Sequence, residues 1–136
     1  MFNSIETLLL RFLKENIPAY GLPAAAYIDE KFWEIECDTV LADGWIFVGF
    51  AHELPKLGDV IPVLVADKPI LLVKNLKGEI AAFHNVCRHR CLKLVDQPKN
   101  VGKLIRCPYH SWAYDLDGVL RASPHFGGTN HHKPKG

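Results

Sequence analysis

"NVCRHRCLKLVDQPKNVGKLIRCPYHSW", residues 85–112, places Cys and His in two short clusters. Cys87 and His89 form C-x-H, Cys107 and His110 form C-P-Y-H, and residues 90 to 106 lie between the two halves. The chain holds four cysteines, at 37, 87, 91 and 107, enough for two disulfides. In a reducing compartment, however, clustered Cys with interleaved His more often means metal than bridges. Cys87, His89, Cys107 and His110 are therefore the candidate ligands of a metal centre.

Two centres can be built from this set. Two Cys and two His are a permitted tetrahedral set for a structural zinc. Zinc fingers, though, usually pair like with like, and here each half carries one Cys and one His. A mononuclear zinc held by mixed halves stays open. A two-iron centre fits the mixed halves better: if the two Cys bind one iron and the two His the other, each loop gives one ligand to each metal, and two sulfides bridge the irons. That is the Rieske [2Fe–2S] arrangement. Four thiolates would leave an oxidised cluster a dianion, whereas two thiolates and two neutral imidazoles leave it neutral. An electron adds more easily to the neutral centre, so Rieske potentials lie above those of plant-type ferredoxins. The imidazoles also keep a second ring nitrogen that can carry a proton, which couples proton to electron transfer at His89 and His110.

Outside the clusters the apolar pattern has the period of strands. "WIFVGF" (45–50) is short, aromatic and β-branched, and "GDVIPVLVA" (58–66) follows with Pro62 pointing to an edge or a bulge. "PILLVKNLKGEIAAFHNV" (69–86) reads as two strands about an Asn75–Gly78 turn. "KLIRC" (103–107) is a short strand running into the second cluster, and "WAYDLDGVLRA" (112–122) a hairpin whose Asp117-Gly118 pair suits a two-residue primed turn. Such strands predict an all-β sandwich or small barrel-like sheet set, with each cluster in a loop between strands.

Helical spacing appears only in front. Ile5, Leu8, Leu9, Phe12 and Leu13 follow a Ser4 N-cap over residues 4–15, "IPAYGLPAA" (17–25) is linker, and Asp29 and Gly44 bound a second helix. Both helices are read as packing or docking surface, with a membrane-surface role for the first as the lesser alternative. The tail "SPHFGGTNHHKPKG" (123–136) has no apolar period and reads as a connector or frayed end. The expected organisation is a helical segment and linker over 1–44, a β domain carrying both clusters over 45–121, and a tail over 122–136.

Composition narrows the partners. With 136 residues, 49% of them hydrophobic and 23% charged, the chain can bury its own core. A formal net charge of +1 gives no reason to expect nucleic acid or an acidic membrane surface. No apolar run approaches the roughly 20 residues needed to span a bilayer. Glu6 and Arg11 spoil the N-terminus as a signal peptide. A soluble cytoplasmic protein is expected.

"CRHR" (87–90), "CPYHSW" (107–112) and the following "YDLDG" (114–118) resemble the Rieske domain of the ring-hydroxylating (Rieske non-haem iron) oxygenase α subunits. The C-x-H-x17-C-P-Y-H pattern is highly specific, and the resemblance covers most of the chain, including Trp45, Val48 and Gly49 as a W-x-x-V-G strand. It implies Rieske-type antiparallel sheets with two cluster-binding loops, preceded by short helices. Cys87, His89, Cys107 and His110 would hold the [2Fe–2S] cluster. The resemblance further implies an electron-transfer module fed by a ferredoxin or flavin reductase. Its acceptor would be a mononuclear non-haem iron in a catalytic oxygenase domain, and a homo-oligomer is compatible with it. That iron's 2-His-1-carboxylate triad would lie beyond residue 136, and His125, His131 and His132 do not match its spacing. On this reading the chain is an oxidoreductase component that cannot hydroxylate by itself.

Two positions depart from the family, Cys91 and Ser111, where Gly or Ala and Gly are usual. A small buried thiol and backbone capping are the expectations there. Tyr109 and Trp112 are expected to shield the cluster or simply pack. Arg88, Arg90 and Lys93 either steer an acidic donor or form a solvated face, and His52 and His84 are structural. A free-standing Rieske ferredoxin is the alternative function, disfavoured by the helical segment ahead of the strands; a zinc-stabilised binding module is the other.

Overall fold

β-Branched and aliphatic residues dominate 59–73, and there the chain forms its longest strands. In the computed structural model, which describes residues 21–124, the chain divides into a unit over 1–46 and a unit over 47–136. The helix expected over 4–15 and the tail histidines His125, His131 and His132 lie outside the described residues. Among the described residues no helix is long and apolar enough to cross a membrane.

In the first unit, α1 spans Ala25–Ile28, α2 Glu30–Asp38 and α3 Val40–Asp43. Asp29 caps α2 as its spacing predicts: its Oδ1 accepts the Phe32 N–H at 3.0 Å. The single helix expected up to Gly44 is instead broken at Thr39 (φ −120°, ψ −79°). The Thr39 hydroxyl donates to the Ile35 carbonyl at 2.6 Å, and such back-bonding by a β-branched residue competes with helix continuation.

Among the described residues the regular structure of the second unit is β apart from a short 3-10 turn at Ala51–Glu53. Strands β1 (Asp59–Val65), β2 (Lys68–Lys74), β3 (Ile80–His84) and β4 (Lys99–Asn100) form one sheet in the order β3-β2-β1-β4. Strands β5 (Leu104–Arg106), β6 (Ala113–Asp115) and β7 (Leu120–Ala122) form a second, in the order β5-β6-β7. Every pairing is antiparallel. Pro62 sits where its missing N–H costs little, since β4 meets β1 only at Asp59 and Val60 and leaves that edge open beyond them.

Two local expectations are corrected. Residues 45–50 form no strand: Trp45 and Phe47 are exposed, and without a neighbouring strand to take its hydrogen bonds the apolar pattern alone does not make one. The two-residue primed turn joins β1 to β2 instead, at Ala66 (φ 47°) and Asp67 (φ 59°), between the paired Val65 and Lys68. Asp117-Gly118 belongs to a four-residue loop between β6 and β7, because only Gly118 (φ 83°) takes the left-handed conformation that a primed turn requires at both central positions. The Asn75–Gly78 turn forms as expected. Asn75 Oδ1 accepts the N–H groups of Lys77 and Glu79, and its Nδ2 donates to Asp117 Oδ1 at 3.0 Å, tying the first sheet's hairpin to the loop of the second.

The core lies between these strands. Val60, Leu71 and Val73 from the first sheet meet Ile105 and Tyr114 from the second, with Leu94, Val95 and Trp112 closing the sides. Cys87 and Cys107 belong to the same buried cluster, so the roots of both ligand loops are built into the core.

Candidate metal centre

Strand β3 and strand β5 each deliver the chain to a ligand loop, and the two loops close in the same way. In the first, Cys91 N donates to Cys87 O at 2.8 Å and Cys87 N to Leu92 O at 2.7 Å. In the second, Ser111 N donates to Cys107 O at 3.1 Å and Cys107 N to Trp112 O at 2.8 Å. Each loop is thus a six-residue turn, 87–92 and 107–112, and in each the fifth residue is left-handed: Cys91 at φ 53° and Ser111 at φ 57°. This explains both departures in one stroke. These are the positions where a residue without Cβ is least strained, and here each carries a side chain. Cys91 is exposed, not the buried thiol expected, because a left-handed residue at the loop's turn points away from the core. Ser111 closes its loop through its backbone N–H.

The loops bring the four expected ligands together as two pairs. Cys87 (1% exposed) and Cys107 (3% exposed) lie within the core, in the same buried cluster. His89 and His110 are half-buried beyond them, ring centroids 4.8 Å apart. Trp112 stacks on His89 (4.8 Å, 7°) and Tyr109 leans on His110 (3.7 Å, 35°), so the aromatic residues flank the imidazoles from two sides. Trp112 is buried and Tyr109 exposed. Among the described residues, no three Cys, His, Asp or Glu side chains gather around a point that would hold a single ion.

Burial of the Cys87 thiol disfavours its charged form. Hydrogen bonds from the Tyr114 hydroxyl, the N–H of His89, the Cys107 thiol and the N–H of Arg90 outweigh that and hold it below its ordinary range. The Tyr114 hydroxyl stands 3.3 Å from Cys87 Sγ and also accepts the Arg88 N–H at 3.1 Å. Burial and the neighbouring Cys87 thiol push the Tyr114 phenol up to about 12. Tyr114 therefore keeps its proton, within hydrogen-bond reach of the sulfur. Sequence reasoning missed this residue, since it lies 27 positions from Cys87 on another sheet and reads locally as ordinary strand. Of the other candidates, Lys93 pairs with Asp96 at 3.5 Å and Arg90 sits 5.9 Å over the Tyr109 ring.

Asn85 fastens the first loop from behind. It is fully buried, its Oδ1 accepts the N–H of Leu94 (3.2 Å) and Val95 (3.0 Å), and its Nδ2 donates to Val95 O at 2.7 Å. An isolated bridge between Val86 and Lys93 lies beside it.

This donor set fits a [2Fe–2S] centre. The thiols are buried and none of the four cysteines is in a disulfide. Cys87 already accepts the N–H and O–H bonds that a thiolate ligand calls for. Two separate pairs suit a centre in which each metal takes two protein ligands.

Comparison with known proteins agrees. The family model described as the Rieske [2Fe-2S] domain matches residues 44–133. The glycine betaine monooxygenase oxygenase subunit of Chromohalobacter salexigens is 41% identical over 109 residues, 79% of this chain and 24% of that protein. The biphenyl 2,3-dioxygenase α subunit of Rhodococcus jostii is 34% identical over 98 residues, 72% of this chain and 21% of that protein. Among solved structures, the apo form of a quaternary ammonium Rieske monooxygenase superposes with a TM-score of 0.73 at 29% identity, covering 82% of this chain and 35% of that one. The chain spans about a quarter of the length of the curated relatives it matches. With two equivalent loops, paired thiols and imidazoles and these relatives, the chain belongs to the Rieske [2Fe-2S] domain family, in the form found in the N-terminal portion of Rieske non-haem iron oxygenase α subunits.

Proposed function

We propose that this chain relays electrons from a ferredoxin or flavin reductase toward a mononuclear non-haem iron in the catalytic domain of its parent oxygenase, with residues 45–121 as the electron-transfer domain. The observation that carries this is the pairing of two core-buried thiols with two half-exposed imidazoles on matched loops. Cys87 and Cys107 would hold one iron, His89 and His110 the other. The bound cluster supplies a one-electron couple.

The chain's own groups prepare the site for it. Tyr114 holds its proton at Oη against Cys87 Sγ, and the N–H groups of His89 and Arg90 point at the same sulfur. These dipoles stabilise negative charge on the thiolate. Trp112 covers the His89 ring and limits water there. The partly exposed imidazoles can carry a proton or hydrogen-bond to an acceptor. Four cysteines outside any disulfide suit a reducing cytoplasm. Glycine betaine and biphenyl oxygenases both appear among the relatives, and an electron module of this kind fits either substrate class.

Anaerobic reconstitution with iron and sulfide tests the reading. The expected product is coloured, holds two irons and two sulfides per chain, and gives a reduced-state EPR signal that C87S, C107S, H89A and H110A each abolish. A colourless protein that retains zinc in place of iron would overturn it.

A further inference from the structure

We infer that the groove lined by Lys99, Lys103 and Arg106, at the root of the second ligand loop, docks an acidic protein that donates electrons; this rests on the electron-transfer reading above. The groove measures about 430 Å³ and is lined by Lys99, Asn100, Val101, Lys103, Leu104 and Arg106, with no carboxylate in its walls. All three cations are exposed, while Val101 and Leu104 form a half-buried apolar floor between them.

The charges are not neutralised locally. Neither the Lys93–Asp96 nor the Arg121–Asp115 ion pair reaches the groove. The carboxylates that border it are hydrogen-bonded to their own neighbours and form no ion pair with the three cations. Asp59, opposite Asn100 in the sheet, accepts from Asn100 Nδ2 (2.8 Å) and from Lys56 N (2.7 Å). Asp115, opposite Leu104, accepts from Arg121 Nε (2.7 Å) and from the N–H groups of Asp117 and Val119. Glu53, in the adjoining cleft that Lys99 also borders, accepts from Phe50 N. By contrast, two of the cations on the first ligand loop are engaged, Lys93 with Asp96 and Arg90 over Tyr109. Lys99, Lys103 and Arg106 thus bring three exposed cations together on β4 and β5.

Position and composition select the occupant. β5 ends at Arg106, whose next residue is Cys107, so a protein seated in the groove lies beside the thiol side of the centre. The half-exposed imidazoles of His89 and His110 are left to an acceptor. A chain of net charge +1 with no aromatic side chain in the groove offers neither the broad field nor the stacking platform that single-stranded nucleic acid requires. An acidic protein surface matches three discrete cations over an apolar floor. Steering of this kind raises association rates by roughly ten- to a thousandfold and fades with salt.

The test titrates the cluster-loaded full chain with a plant-type acidic [2Fe–2S] ferredoxin as probe. Affinity is measured at low and at moderate salt, and zero-length carbodiimide coupling is mapped by mass spectrometry. Coupling is expected at Lys99 and Lys103. The K99E/K103E variant should bind about tenfold more weakly and lose most of the salt dependence. K31E/K77E, which changes the net charge equally, should bind within about twofold of the parent. Arg106 is left intact to keep the neighbouring ligand undisturbed. Absence of binding, coupling at Lys31 or Lys77 instead, or equal losses in both variants would overturn the proposal. The EPR spectrum of the same reduced sample reports the cluster separately, so a failed electron-transfer reading is distinguished from a misplaced docking surface.

Discussion

The Tyr114 hydroxyl lies 3.3 Å from the Cys87 sulfur, and that contact can be removed alone. Y114F should leave iron content unchanged and lower the reduction potential of the loaded protein, because the hydroxyl favours the more negative, reduced state. A hydrogen bond worth about 1 kcal/mol corresponds to roughly 40 mV for a one-electron couple, at about 59 mV per tenfold. Redox titration of the two proteins checks it, and an unchanged potential would show that the phenol does not act on the sulfur. At the outer end of the same loop, Cys91 holds φ 53° with a side chain attached. C91G should raise the unfolding free energy by about 1 kcal/mol, the typical strain of a left-handed L-residue, whereas C91S should change neither stability nor iron content. Equilibrium denaturation with an iron assay separates the two substitutions.

Between strands, the stability of the loops rests on buried amides and carboxylates. Asn85 satisfies three backbone groups of Leu94 and Val95 from within the core. N85A should therefore cost about 3 kcal/mol or more, since each buried group left unsatisfied costs about 1–3 kcal/mol, and it should loosen iron retention in the first loop before the second. Urea denaturation and the rate of iron release to a chelator measure both effects. Asp115 organises the β6–β7 hairpin. Burial works to raise its pKa, but the Val119 N–H, Arg121 and the Asp117 N–H lower it further, leaving it below the ordinary 3.8. A depressed folded pKa contributes stability above the ordinary value, and that contribution is lost as pH falls through the folded one. R121A should accordingly lose less stability than the parent on acidification from about pH 6 to pH 2, as denaturation midpoints across that range would show. Sequence made the hairpins legible through their periodicity and the Asn75–Gly78 turn. It misassigned the primed turn, because whether Ala66-Asp67 or Asp117-Gly118 turns tightly depends on strand pairing farther along.

At the scale of the molecule, Cys87 and Cys107, the proposed ligand cysteines, sit in the hydrophobic core, so on that reading metal occupancy and folding are linked. A ligand bound only by the folded chain adds about 3 kcal/mol when held a hundredfold above its dissociation constant. Stripping the iron should lower the unfolding free energy by at least that amount and the melting temperature with it, followed by thermal denaturation with and without a chelator; coincident transitions would mean that the cysteines need no metal to stay packed.

By itself the sequence put forward the candidate ligand set. Cys87, His89, Cys107 and His110 are written within a few residues of one another in each half, and their mixed order pointed to two irons before any contact was known. The strand periods likewise follow from neighbouring residues alone. Only the tertiary structure decided that Tyr114 reaches Cys87, that Cys91 turns outward, that Lys99–Asn100 joins β1, and that residues 45–50 find no strand to pair with. Local spacing fixes which atoms a loop can offer. Which distant strand lies against them depends on how two sheets bury a shared core, and that is a property of the packed chain.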